Sequence, residues 1–224
     1  MNNTFSREFP LIGENGYSKL QNSSVIVFGA GGVGSYTIEA LARAGIGSIT
    51  IVDNDTVDET NINRQLIALH STIGKDKVLI EKNRILDINP ECNVTAIKEF
   101  FDENSTIDLT EFDYIIDAID SVKSKLFLAE SAVNNNIKII SAMGTGNKLE
   151  PEKLAVSDIS KTSGCPLAKK MRVELRKKGI NHLKVVYSTE QPKCRNVPPA
   201  SISFVPPAAG LLIAKEVIMD LISE

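Results

Sequence analysis

The run Val25–Ser35, VIVFGAGGVGS, narrows the fold more than any other stretch of the chain. Four consecutive β-branched or aromatic residues end in glycines at 29, 31, 32 and 34, so a buried strand hands over to a tight turn and then to a helix. Such a turn lets backbone N–H groups approach a phosphate at the helix N-terminus. Asp53 closes the next strand-like run, SITIVD, nineteen residues after Gly34, where a carboxylate accepts hydrogen bonds from ribose hydroxyls. Strand, loop, helix and acid in this order predict a nucleotide-binding unit. To this point a dinucleotide and a nucleoside triphosphate fit equally well.

The same rhythm continues along the chain. The runs VIVFG, SITIVD, NVTAI, YIIDAI and IKIIS alternate with helical stretches at Ser35–Ala44, about 76–87 and Val122–Asn134, which predicts an α/β, Rossmann-like, doubly wound and mostly parallel sheet. Asn89-Pro90 stops the second of these helices, because the residue before proline is pushed out of the helical region. Beyond about Met143, LAVSDI and LKVVYS flank a basic helix at Pro166–Lys178 and are expected to extend the sheet with antiparallel strands in the C-terminal half. SISFV then leads through Pro206-Pro207 into a closing helix ending near Leu221, whose Lys215, Glu216 and Asp220 suit packing on protein. The segment Glu190–Ala200 lacks a hydrophobic period and is expected to be a mobile loop. One domain is predicted over residues 1–224, with a nucleotide half at about 20–145 and a substrate half at about 146–224.

With 42% hydrophobic and 24% charged residues, composition is that of a globular protein. MNNTFSREFP offers no signal-peptide core, and AAGLLIA is stopped by Lys215 and Glu216, so a cytoplasmic protein without membrane insertion is expected. Cys92, Cys165 and Cys194 form no CxxC pair, which argues against a zinc clip or a disulfide framework. Cys92 and Cys194 are read as structural or incidental, and His70 and His182 carry no telling partner. The net charge of −3 conceals ten basic and two acidic residues between Lys161 and Arg195, against 15 basic and 26 acidic elsewhere. Such a tract tracks a phosphate backbone or is a solvated helix face, and the sequence leaves both open.

The segment beyond Asp53 separates the two nucleotide readings. TVDETNINRQLIALHSTIGKDK brings Asn61, Asn63, Arg64 and Gln65 just past the strand end and Lys77 to the start of the next helix. Two cations and several amides exceed what a pyrophosphate on a glycine loop requires, whereas attack at an α-phosphorus develops the charge that such clamps stabilise. In YIIDAIDS, Asp117 and Asp120 stand at a strand's carboxyl end, where ligands of open α/β sheets bind and one carboxylate can hold Mg²⁺. Asp117 serves equally well as a cap for the next helix. No GxxxxGK[ST] is present, so this is not a P-loop protein.

GAGGVGS, Asp53-x-Asp55, TNINRQ, GKDK and DAIDS together resemble the adenylating domain of the ubiquitin-activating superfamily, with its MoeB, ThiF and HesA members. The resemblance implies Asp53 on the ribose, Asn61, Arg64 and Lys77 on the ATP phosphates, and Asp120 on magnesium. Gly29, Gly31, Gly32, Gly34, Asp55 and Gln65 complete the implied nucleotide site. It also implies a homodimer in which an N-terminal arginine, here Arg7, reaches the partner subunit's site and joins Arg64, Lys77 and Asp120 in catalysis.

Within that superfamily, ARAGIG, ALHSTIGK, ILDINPEC, DAIDSVKSK, MGTGNKLEP and VSDISKTSGCPLAK are similar to the branch that dehydrates threonylcarbamoyladenosine in tRNA. The likeness runs from about Phe5 to Leu221. It implies that the threonyl carboxylate is adenylated by ATP with Mg²⁺, without zinc, and that the carbamoyl group then closes a ring and expels AMP. A tRNA substrate would give the basic tract a task, with Lys161, Lys169, Lys170, Arg172, Arg176, Lys177 and Lys178 as backbone contacts. Cys165, before Pro166 at a helix N-terminus, is either an activated thiol or a small buried residue; intramolecular cyclisation needs no enzyme nucleophile. The resemblance leaves open a monovalent cation, a sulfur-transfer protein partner, and the alternative of activating a ubiquitin-like or sulfur-carrier protein.

Overall fold

The apolar run before the glycines forms β1 (Ser24–Phe28), whose last four residues are buried. The computed structural model describes residues 4–194 and 199–223. Among these, β1 is joined by β2 (Ser48–Val52), β3 (Asn93–Ile97), β4 (Tyr114–Asp117), β5 (Lys138–Ala142), β6 (Leu154–Asp158) and β7 (Lys184–Ser188) in one sheet of order β3-β2-β1-β4-β5-β7-β6. All neighbours pair in parallel except β6 with β7. The expected Rossmann-like sheet is therefore present. Its antiparallel extension is confined to the outer strand β6, while β7 runs parallel to β5.

Alternation along the strands sends side chains to two separate cores. On one face, Val25, Val27, Ile49, Ile51 and Ile116 meet Leu20 of α1 (Phe9–Gln21), Ile38 and Leu41 of α2 (Gly34–Arg43), Val78 and Ile85 of α3 (Lys77–Ile88), and Ile213 and Val217 of α6 (Val205–Ile222). On the other, Ile26, Phe28, Ile115 and Val185 meet Leu128 and Ala132 of α4 (Val122–Asn134) and Met171 and Leu175 of α5 (Pro166–Lys177). The chain leaves β1 toward β2 on one side, and β4 lies on the other. A crevice opens at the carboxyl ends of the strands where the order reverses.

Two elements differ from the sequence reading. Helix α1 is not among the expected helices, because Pro10, Gly13 and Gly16 interrupt its apolar period; it is kinked at Gly13 (φ 71). Tertiary contact holds it, with Tyr17 packed on the ring of Phe5 and Leu20 in the core, while Phe9 meets Tyr17 across the kink. Helix α6 begins at Val205, placing Pro206 and Pro207 in the first turn, where missing N–H groups cost nothing. It presses on α2 so closely that a Cβ at Gly210 would lie 2.3 Å from the Val33 carbonyl oxygen. No helix among the described residues is long and apolar enough to cross a membrane.

Glu81 on α3 is fully buried, and neither carboxyl oxygen has a hydrogen-bond partner among the described residues. Burial, reinforced by the nearby Glu39, pushes its pKa well above the ordinary 4.5, because a carboxylate without partners is disfavoured there relative to the neutral acid. A proton bound more tightly in the folded than in the unfolded chain contributes stability below the unfolded pKa, and this is lost as pH rises toward the folded value. Glu81→Met is therefore expected to stabilise the protein more at about pH 8 than at about pH 4, measured by chemical denaturation. A gain independent of pH would contradict the assignment.

Candidate active site

The crevice is a cavity of about 770 Å³. Its floor is the glycine loop between β1 and α2. Gly29 sits at φ 93, and a Cβ on Gly34 would lie 1.7 Å from the Gly29 carbonyl oxygen, so the turn closes only with glycine at both positions. At Gly31 an added Cβ would meet only Gln65 Nε2, at 3.9 Å. The backbone there is open to a ligand.

Asp53, at the end of β2, accepts hydrogen bonds from Ala30 N–H (2.6 Å) and Asp55 N–H (2.8 Å), one on each carboxylate oxygen. The side chain thus ties β2 to the glycine loop and keeps further lone pairs for hydroxyl donors. Asp55, 57% exposed, pairs with the buried Lys77 at 2.8 Å, which fixes the ammonium at the start of α3. Asn61 closes a short capping box by accepting from Asp58 N–H. Arg64 donates to Thr60 O (2.9 Å) and Asn63 Oδ1 (2.8 Å), with its aliphatic stem over Gly32. Gln65 is 7% exposed, and its Oε1 has no partner among the described residues. Gly29, Gly31, Gly32, Asp53, Asp55, Asn61, Arg64, Gln65, Lys77 and Asp120 all line this one cavity. Gly34 lies beneath it.

The two carboxylates after β4 part company. Asp120 is exposed at the cavity and makes no hydrogen bond or ion pair among the described residues. Asp117 is fully buried, paired with Lys125 of α4 at 2.8 Å and hydrogen-bonded by the Ser141 hydroxyl. It is neither a metal ligand nor the helix cap; Ser121 caps α4. The last strand residue points into the core, where the lysine early in α4 meets it.

A second wall, absent from the sequence reading, faces the glycine loop. Met143–Lys148 follow β5, and Cys165, Pro166 and Leu167 open α5; both segments line the cavity. Asn147 takes a left-handed turn (φ 61), and its Oδ1 accepts from Ala200 N–H at 2.7 Å. The segment expected to be mobile is anchored where it is described. Glu190, 3% exposed, accepts from Leu149 N–H (3.0 Å) and Glu150 N–H (2.9 Å), and Lys193 N–H donates to Asn147 O. Residues 195–198 of that segment lie outside the described residues. Its sequence carries no hydrophobic period because these anchors are polar. Cys165 is 4% exposed, its sulfur 3.4 Å from where a Gly144 Cβ would stand.

The basic candidates divide by partner. Arg172 donates to Ile159 O, Thr162 O and Thr162 Oγ1, bracing the turn before α5. Lys177 pairs with Glu174, and Lys178 with Glu130. Lys161, Lys169, Lys170 and Arg176 are exposed and form no ion pair among the described residues. Arg7 is exposed and lies outside this chain's cavity.

A family model described as the ThiF family matches residues 5–223. The chain belongs to the ThiF family. Within it, the chain is 44% identical to the tRNA threonylcarbamoyladenosine dehydratase of Bacillus subtilis over 98% of this chain and 95% of that protein. The Escherichia coli protein of the same name is 38% identical over 80% of this chain and 71% of its own length. A solved structure of E. coli TcdA in complex with ATP superposes with a TM-score of 0.92 at 33% identity, covering 98% of this chain and 93% of that one. The ThiF-family fold thus accounts for both cavity walls.

The separation of the two aspartates has a measurable consequence. Lys125→Met leaves Asp117 as an uncompensated buried charge and is expected to cost about 3–5 kcal/mol in denaturant unfolding. Asp120→Asn should leave stability unchanged. A harmless Lys125→Met would mean that the Asp117 carboxylate has another partner.

Proposed function

We propose that this chain is an ATP-dependent dehydratase of threonylcarbamoyladenosine in tRNA, working through an acyl-adenylate. What carries this reading is the reach of the likeness. The B. subtilis relative named for this activity matches 98% of the chain, so both the glycine-loop half and the half that builds the second wall are included. ATP suits the residues present. The glycine floor is open at Gly31, and Arg64 and the buried Lys77 line the same cavity, where they can meet phosphate oxygens.

In this reading Asp53 holds the ribose, and Asn61, Arg64 and Lys77 hold the phosphates. Asp120 would hold Mg²⁺ together with phosphate oxygens, since magnesium is commonly bound by one or two carboxylates plus substrate. When bound, the metal would supply charge neutralisation to the phosphates. The threonyl carboxylate oxygen attacks the α-phosphorus, and the bond to pyrophosphate breaks as Arg64 and Lys77 stabilise the charge that develops. The carbamoyl group then attacks the acyl carbon and gives up a proton to solvent. AMP departs with one of the original carboxylate oxygens, so the nucleoside loses one water overall. Attacker and acyl group belong to one molecule, so effective concentration replaces an enzyme nucleophile, and Cys165 has no covalent task.

Lys161, Lys169, Lys170 and Arg176 supply the contacts to the tRNA backbone, on and beside a helix whose first turn borders the cavity. Arg7, outside its own chain's cavity, acts in the partner's site of a homodimer, and the protein works in the cytoplasm.

Incubation with ATP, Mg²⁺ and tRNA bearing threonylcarbamoyladenosine is expected to lower the nucleoside mass by one water and release AMP. Asp120→Ala and Arg64→Ala should each reduce AMP formation by about 100-fold or more without moving the unfolding midpoint. An unchanged nucleoside mass in the presence of bound ATP would overturn the function. Near-normal turnover in either variant would overturn the placement of the phosphates.

A further inference from the structure

Three cations line the cavity among the described residues, and the proposed adenylation employs only Arg64 and Lys77. The third, Lys148, closes the loop after β5 on the opposite wall. It is 3% exposed, and its Nζ donates to Gly144 O at 2.9 Å and to Ser188 O at 3.3 Å, bridging the ends of β5 and β7. Both acceptors are neutral carbonyls. Glu190 and Cys165 are the ionisable groups facing it, yet no carboxylate forms an ion pair with Nζ among the described residues. The Glu190 carboxylate is occupied by the N–H groups of Leu149 and Glu150 and lies 3.7 Å from Lys193. An ammonium has three donors, so one remains for a ligand. A buried cation held only by carbonyl oxygens is incompletely compensated, and an anion brought into the cavity would complete it.

We propose that Lys148 is the carboxylate-binding residue of the acyl half of the cavity. It grips the threonyl carboxylate of the substrate before adenylation and the acyl oxygen during ring closure. The assignment rests on the dehydratase function proposed for this chain. Lys148 lines the same cavity as the glycine floor, Arg64 and Lys77, so a carboxylate that it holds shares that space with an α-phosphorus held by those two. Burial lowers the Lys148 pKa and Cys165 and Glu190 oppose this only in part, so negative charge brought beside the ammonium would be stabilising. Glu190, the carboxylate that faces Lys148, is turned to the N–H groups of Leu149 and Glu150 and leaves the third ammonium donor free.

The test compares wild type with Lys148→Met and Lys148→Arg. Lys148→Met is expected to keep its ATP dissociation constant and unfolding midpoint, the former within about threefold, while AMP formation with modified tRNA falls about 100-fold or more. Lys148→Arg should restore part of that rate. N-carbamoylthreonine, titrated calorimetrically in the presence of AMP, should bind wild type and bind Lys148→Met at least about tenfold more weakly. Turnover of Lys148→Met within about threefold of wild type would overturn the assignment, as would a rate that falls only in step with ATP affinity and the unfolding midpoint. Equal binding of N-carbamoylthreonine to both proteins would also overturn it. If wild type binds that ligand through Lys148 but leaves the tRNA unchanged, the carboxylate site stands and the dehydratase function fails.

Discussion

The carboxylate of Asp53 joins the two halves of the phosphate-binding turn. Its hydrogen bonds to Ala30 N–H and Asp55 N–H, at 2.6 and 2.8 Å, bind the end of β2 to the glycine loop after β1 and to the start of the segment that carries Asn61, Arg64 and Gln65. The segment that carries the cations starts from this lock, and Arg64 is then held by Thr60 O and Asn63 Oδ1. Lys77 is placed in turn by Asp55, two residues on. One acid at the strand end and a second just beyond it thus suffice to set a floor and a row of clamps, with backbone donors and not long side chains carrying the precision.

The opposite wall has a different origin. The parallel pairing of β5 with β7 brings Met143–Lys148 beside Ser188 and Glu190. Glu190 and Asn147 then tie the two connections together through backbone hydrogen bonds. Buried polar anchors of this kind rigidify a loop when each is satisfied, and they leave no hydrophobic period behind. Lys148, in the same set, keeps one ammonium donor that these contacts do not use.

These two origins explain which parts of the molecule are legible in its sequence. The glycine loop, Asp53 and the alternating runs are local signals, and the sheet, the nucleotide-side residues and the two helical layers derive from them. Asp117 and Asp120 stand three residues apart in equally suggestive surroundings. Only the register of β4 and the arrival of Lys125 on α4 send the first into the core and leave the second in the cavity. Helix α1 escapes a reading by periodicity because its kink at Gly13 breaks the period, while Phe5 on Tyr17 and the core around Leu20 hold it. Arg172 reads as one more surface cation until the turn at 159–162 is seen to take its three hydrogen bonds. The roles of Lys148 and Glu190 depend on contacts some 40 residues away in sequence. No local motif encodes them.

If a carboxylate attacks the α-phosphorus of ATP in this cavity, one of its oxygens must leave with AMP. The most direct measurement uses modified tRNA whose threonyl carboxylate carries a heavy-oxygen label, with mass analysis of both products after one turnover. The label is expected in the phosphate of AMP, with the other carboxylate oxygen retained in the dehydrated nucleoside. Unlabelled AMP, or a label released only into water or pyrophosphate, would contradict it.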